Sequence, residues 1–187
     1  MTTDSPVRTA PGQALRRLYF TRFAFALVWA VVLFFTAGSP SPFLTVWLLI
    51  YPLFDAGSVL FQLRSEGRAE SSRIPEWLNV VLSVVAAVAL AWTSTVSTSS
   101  ALVAWGAWAI VSGLLQLIVA ILRRRTGGQV PLMISGAVSV LAGSGFAMQG
   151  IQGGGLGLSA VGGYAILGGI LFLISAIRLS ILRGRRA

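Results

Sequence analysis

Few residues of this 187-residue chain could do chemistry. The sequence contains no histidine and no cysteine, and only five acids accompany its fourteen basic residues. General acid–base catalysis needs titratable groups that converge in one site, and a metal site needs several suitable ligands held together. We therefore predict that the protein is not an enzyme, that it binds no metal and that it needs no cofactor.

Asp55 is the acid that stands out, because it falls in the interior of an apolar stretch rather than at its end. A charge in the hydrocarbon core of a bilayer costs ~2.5–3.5 kcal/mol on insertion scales, so a buried acid needs a partner. Arg22 is the best candidate. Counted from the turn near Pro40, Arg22 is 18 residues away and Asp55 is 15 residues away, which places them within ~5 Å in depth if the two helices are antiparallel.

The predicted intramembrane ion pair between Arg22 and Asp55 has two interpretations. It is either a structural pair that neutralises itself and fixes the first two helices, or part of a path for protons or ions. The sequence favours the structural interpretation. Pro52, one turn before Asp55, removes a backbone hydrogen bond from the Leu48 carbonyl, which predicts either a kink or a coordinating carbonyl beside the pair.

The elements that carry these residues are transmembrane helices. Hydrophobic residues make up 56% of the chain and charged residues 10%, which is too little polar surface to cover a water-soluble globule. Six apolar runs have the ~20-residue length that crosses a bilayer core. The sequence therefore predicts an all-α polytopic membrane protein with six transmembrane helices. The predicted helices cover residues 18–37, 43–63, 75–94, 100–122, 130–149 and 157–181.

The segments outside these helices predict the domain organisation. Residues 1–17 are polar and contain two prolines, so we expect a disordered cytoplasmic tail. Residues 18–182 form the membrane domain, and residues 183–187 form a basic cytoplasmic C terminus.

The distribution of arginine predicts the orientation of the chain. Arginine near helix ends is retained on the cytoplasmic side of the membrane. Arginines occur in the N-terminal tail, in the second and fourth loops and at the C terminus, whereas the other three loops carry no charge. This alternation predicts that both termini are cytoplasmic. We interpret the clusters as topology anchors that bind lipid headgroups rather than nucleic acid. They are Arg123, Arg124, Arg125, Arg183, Arg185 and Arg186.

Glycine recurs at a spacing of 56 residues, at Gly57, Gly113 and Gly169. A fixed period of this kind predicts a repeat, here three parallel helical hairpins of about 56 residues. Small residues let helices approach closely in lipid, so we predict helix contacts at these positions. Whether a face remains for a homo-oligomer is open. The predicted packing residues are Gly57, Gly113, Gly169, Ser135, Ser139 and Gly143.

Two segments carry a family resemblance. Residues 104–116 and 163–170, each followed by an arginine cluster, resemble the short repeat of the HdeD-like acid-resistance membrane proteins. The resemblance extends over nearly the whole chain through topology, length and repeat. It implies six helices, a location in the bacterial cytoplasmic membrane and a role in acid stress, and it implies no catalytic residues. The first hairpin departs from the pattern at Pro52 and Asp55.

Two functions follow as hypotheses. One is a non-enzymatic, HdeD-like membrane protein in acid or envelope stress tolerance, acting through contacts with lipids or proteins. The other is a small transporter or channel that uses Asp55 and Arg22. An aqueous path needs polar residues along the spans, and few are present. They are Gln62, Asn79, Gln116 and Gln149.

Overall fold

The computed structural model describes residues 11–65, 73–122, 130–153 and 157–184, and these residues form six α-helices. Each helix contains an apolar span of 20 to 24 residues, which is 30–36 Å of helix and matches a bilayer core of ~30 Å. This confirms the all-α, six-helix fold class. The helices are α1 (Pro11–Thr36), α2 (Pro42–Ser65), α3 (Ile74–Val96), α4 (Thr98–Leu122), α5 (Val130–Gln152) and α6 (Ser159–Gly184).

Helix α1 begins at Pro11, whereas hydropathy predicted a start at residue 18. Residues 11–17, which were expected to be disordered, are therefore helical. Proline is well suited to the first helical position, where its missing N–H costs nothing, and the glutamine, alanine, leucine and arginines that follow are good helix formers. Residues 1–10 and 185–187 of the predicted tails lie outside the described residues.

Each helix packs against its neighbours in chain order, and α1 also packs against α6, so the six helices form a closed ring. The most extensive contacts join α4 to α5, α1 to α6 and α2 to α3. These pairs belong to different predicted hairpins, so the hairpins hold together through their neighbours more than through their own two helices. The 56-residue repeat itself stays a prediction. The centre of the ring is closed by large side chains, with Trp29, Leu33, Leu48, Leu90 and Trp105 fully buried.

Glycines set the spacing between α4 and α5. A Cβ atom at Gly106 would lie 2.6 Å from the carbonyl oxygen of Gly143, and one at Gly113 would lie 2.8 Å from that of Gly136. These distances are too short for any side chain, so the two backbones touch directly. The two antiparallel pairs are seven residues apart on each helix, which is two helical turns and keeps them on one face.

The predicted packing residues have different outcomes. Gly113 and Gly143 lie at the α4–α5 contact, and a Cβ atom at Gly169 would lie 3.2 Å from Ala26 of α1. Gly57 makes no such contact within the described residues, because it is exposed and a Cβ atom there would meet open space. The repeat spacing sets the height of a glycine on its helix, but it does not determine which face of that helix meets a neighbour. Ser135 is half-buried on α5.

Candidate functional site

The structure brings Arg22 and Asp55 together. The Nη2 atom of Arg22 donates to Oδ1 of Asp55, and the two side chains are only 12% and 22% exposed. The span of α2 covers Pro42–Arg64, so its midpoint is residue 53 and Asp55 lies two residues beyond it, or ~3 Å along the helix axis. The ion pair therefore lies close to the centre of the membrane.

The second oxygen of the Asp55 carboxylate is also occupied. Oδ2 accepts a hydrogen bond of 2.8 Å from Nδ2 of Asn79 and one of 3.1 Å from Oγ of Ser83. Asn79 and Ser83 are four residues apart on α3, a spacing that places both on the same face of the helix. The carboxylate thus joins α1, α2 and α3.

Ser83 extends the network to α4. Its hydroxyl is fully buried, and it accepts a hydrogen bond of 3.2 Å from Nε1 of Trp108 while donating to Asp55. A buried hydroxyl is costly unless it is hydrogen-bonded, and here both its donor and its acceptor capacity are used. We call these connected side chains the polar junction. It consists of Arg22, Asp55, Asn79, Ser83 and Trp108.

Helix α6 contacts the polar junction through an aromatic ring. The Cζ atom of Arg22 lies 4.6 Å from the centroid of the Phe172 ring, which is the geometry of a cation–π contact. Tyr19, almost one turn before Arg22, packs against the same ring at a centroid distance of 5.8 Å. Arg22 is therefore held between a carboxylate from α2 and a ring from α6.

Aromatic side chains fill the interior of the helix bundle next to the polar junction. Trp29 stacks on Trp105 at a centroid distance of 5.1 Å, and Tyr51 contacts both rings at 4.7 and 5.5 Å. Trp108 packs edge-on against Trp105 at 5.3 Å, so it belongs to this cluster as well as to the junction. We call Trp29, Tyr51, Trp105 and Trp108 the aromatic plug. It lies toward the end of the bundle at which α1 ends and α2 begins, since Trp29 follows Arg22 and Tyr51 precedes Asp55.

Two tryptophans clasp α1 to α2 beside this plug. Nε1 of Trp29 donates to the carbonyl oxygen of Trp47 at 2.7 Å, and Nε1 of Trp47 donates to the carbonyl oxygen of Trp29 at 3.0 Å. Pro52 lies inside α2, where its missing N–H leaves the carbonyl of Leu48 without its usual helical donor. Both indole N–H groups are thus satisfied within the bundle.

Most of the other predicted site residues, the lipid-headgroup arginines, lie in segments that the structure does not describe. The lipid-headgroup arginines Arg123 to Arg125, Arg185 and Arg186 lie outside the described residues, as does the side chain of Arg183. In the described part of the chain, no three acidic, histidine or cysteine side chains come together in a group that could hold a metal ion.

Sequence reasoning missed most of the polar junction beyond Arg22 and Asp55. Asn79 was recognised only as a polar residue in a span, and Ser83 and Phe172 were not singled out. One signal was present, because Asn79 and Ser83 are polar residues at a spacing of four in the apolar middle of α3. Nothing in the sequence showed that this pair faces α2.

The apolar spans and the paired charge near their centre decide the class of protein. The chain is a multi-pass integral membrane protein. No protein-family model matches it, and neither a curated protein nor a solved structure shows significant similarity to it.

Proposed function

We propose that this is a non-enzymatic membrane protein of the HdeD-like type that supports acid or envelope stress tolerance. It acts through its surface contacts with lipids or proteins rather than by moving a solute. The resemblance of residues 104–116 and 163–170 to the HdeD-like repeat supports the physiological part of this proposal. The geometry of the polar junction supports the mechanistic part.

The observation that carries the mechanism is that both oxygens of the Asp55 carboxylate have donors from within the bundle. Oδ1 is bound by Arg22 and Oδ2 by Asn79 and Ser83. A transported proton or cation would have to displace these donors, and breaking a buried ion pair by removing one partner costs ~3–5 kcal/mol. The aromatic plug also fills the interior next to the pair. This arrangement suits a lock between helices better than a binding site that loads and empties.

The test is survival of a deletion strain at low pH, with complementation by four chains. These are the parent, Asp55→Asn, the double variant Arg22→Met/Asp55→Leu, and Gly57→Ala as a control at an exposed position. We expect the parent, the control and the double variant to restore survival, because an apolar pair can replace a structural ion pair. We expect Asp55→Asn to accumulate poorly in the membrane.

Two outcomes would contradict the proposal in different ways. A deletion strain without any survival defect would remove the role in acid tolerance. A double variant that accumulates in the membrane at the parent level but fails to restore survival would mean that the charges themselves are needed for the function.

The second candidate is a small transporter or channel that uses Asp55 and Arg22. The observation in its favour is the position of a carboxylate ~3 Å from the middle of its span, where a charge is costly and often functional. Purified protein in liposomes would then show proton or ion flux that is lost in a folded Arg22→Met/Asp55→Leu variant. Equal flux in parent and empty liposomes would remove this candidate.

We also propose that the protein lies in the bacterial cytoplasmic membrane with both termini in the cytoplasm, as the arginine distribution suggests. Because the chain has no cysteine, single introduced cysteines report topology without interference. We expect a membrane-impermeant maleimide to label Ser39→Cys in intact spheroplasts and to leave Ala187→Cys unlabelled until the cells are broken. The reverse pattern would overturn the orientation.

A further inference from the structure

A groove on the bundle surface combines apolar walls with an exposed guanidinium group. It has a volume of about 290 Å³ and lies between the first turns of α1 and the last turns of α2. Its walls come from aliphatic and aromatic side chains, and polar side chains line the rest of its surface. It is lined by Gln13, Ala14, Arg17, Leu18, Thr21 and Phe61.

The depth of Arg17 places its charge near the lipid phosphates. The span of α1 runs from Gln13 to Thr36 and contains 24 residues, or ~36 Å of helix, which exceeds the ~30 Å core by ~3 Å at each end. Arg17 lies four residues inside this span, or ~6 Å along the axis, so its Cα is ~3 Å within the core. A long arginine side chain at this depth extends to the headgroup level.

The Arg17 guanidinium is available for a ligand. Its side chain is exposed. The ion pair found among the described residues joins Arg22 to Asp55 and does not involve Arg17. The neighbouring Thr21 hydroxyl is already engaged, since it donates to the Arg17 carbonyl oxygen at 3.0 Å. Among the described residues, no acid forms an ion pair with the Arg17 guanidinium.

The surrounding charge favours an anion. Arg16 precedes Arg17 on α1, Arg64 lies in the last turn of α2, and Arg73 directly precedes α3, so four arginines lie at this end of the three helices. Glu76 is the single acid among the described residues at the same end. Clustered arginine beside a membrane span attracts anionic lipid.

From these observations we infer that the α1 groove binds one anionic phospholipid. Its phosphate pairs with the Arg17 guanidinium, and the upper part of an acyl chain lies against Ala14, Leu18 and Phe61. A zwitterionic lipid presents a phosphate together with a cationic group, so it gains less from the clustered arginines. The residues that line this groove are different from the predicted headgroup arginines after α4 and at the C terminus.

The test is native mass spectrometry of the full chain in a non-ionic detergent, titrated with phosphatidylglycerol or with phosphatidylcholine of the same acyl chains. We expect the parent to bind the first phosphatidylglycerol more tightly than phosphatidylcholine. Arg17→Gln should weaken that binding about fivefold, the value of one basic residue at the membrane surface. The matched control is Arg178→Gln, which removes the same charge from an exposed arginine of α6 that does not line the groove.

A second variant tests the groove rather than the charge. Ala14→Phe keeps the net charge and fills the apolar floor, so it should also weaken binding of phosphatidylglycerol. If it fails to fold, as judged by size-exclusion chromatography, Phe61→Ala removes a half-exposed wall and provides the same test.

The results separate this inference from its alternatives. Equal weakening of phosphatidylglycerol binding by Arg17→Gln and Arg178→Gln would mean diffuse attraction by charge. Equal affinity for phosphatidylglycerol and phosphatidylcholine would mean adventitious lipid. Either result overturns the site. An unaltered affinity in a folded groove variant overturns it too. The inference is independent of the proposed role in stress tolerance, because lipid binding is measured on purified protein. It would stand even if the deletion strain showed no defect.

Discussion

The α4–α5 contact and the polar junction hold helices together in opposite ways. At the first, Gly106 and Gly143 bring two backbones into direct contact without a side chain between them. At the second, side chains of α1, α2, α3 and α4 meet through an ion pair and hydrogen bonds. Lipid is as apolar as leucine, so both close packing and polar contacts can drive helix association in a membrane. The comparison teaches that the α4–α5 contact depends on shape, whereas the polar junction among α1 to α4 depends on charge and hydrogen bonds.

The largest effect is expected from breaking the charge pair. Asp55→Asn leaves the Arg22 guanidinium without its counter-ion near the bilayer centre, and we expect the free energy of unfolding to fall by ~3–5 kcal/mol. Unfolding by sodium dodecyl sulfate in mixed micelles, followed by the fluorescence of the six tryptophans, measures this change.

The control for this prediction is the double variant Arg22→Met/Asp55→Leu. It removes both charges and should recover most of the loss. If Asp55→Asn were as stable as the parent, the polar junction would not be what holds the helices α1, α2 and α3 together.

A smaller effect is expected from breaking the shape-based contact. Gly106→Ala places a Cβ atom 2.6 Å from backbone atoms of both Gly143 and Ala147, so α4 and α5 must separate. Overpacking of this kind typically costs ~1–3 kcal/mol. The same unfolding assay measures it, and salt should not change the result because no charge is involved.

Ser83→Ala should sharpen the comparison by weakening the polar junction without removing a charge. It deletes one donor to Asp55 and the acceptor of the Trp108 N–H, which should cost ~1–2 kcal/mol. The matched control is Ser144→Ala, because the Ser144 hydroxyl bonds only the carbonyl of Val140 in its own helix at 2.8 Å. Equal loss in the two variants would mean that the connection between helices adds nothing.

The smallest effect, and one of opposite sign, is expected at Gly57. A Cβ atom there meets open space, and alanine favours a helix over glycine by up to ~1 kcal/mol. Gly57→Ala should therefore leave the protein as stable as the parent or slightly more stable. A loss of stability would mean that Gly57 serves a contact outside the monomer, such as a second copy of the chain.

The sequence was sufficient for properties that depend on position along a helix. Hydropathy located all six helices, and counting residues from the turn near Pro40 paired Arg22 with Asp55 because antiparallel helices share a depth scale. The start of α1 at Pro11 was missed. The apolar stretch begins only after the arginines of the first turns, whereas the residues before these arginines still favour a helix.

The sequence was insufficient for properties that depend on how each helix is rotated about its axis. Asn79 and Ser83 reach Asp55 because α3 turns that face toward α2, and Phe172 reaches Arg22 because α6 closes the ring against α1. The lack of a contact at Gly57 within the described residues has the same cause. Rotation is decided by the packing of all neighbours together, and a single sequence gives no direct measure of it.

The contact between the first and the last helix has a consequence for biosynthesis. The ion pair of Arg22 needs only residues made by position 55, whereas its aromatic partner is residue 172. At about 5–20 residues per second, roughly 6–25 s of translation separate the two events. During that interval the charge of Arg22 on α1 is already paired. Phe23 and Ala26 on the same helix do not yet pack against Gly169. A ribosome that stalls before α6 would therefore leave an open bundle whose uncovered flank of α1 is available to quality-control proteases of the membrane.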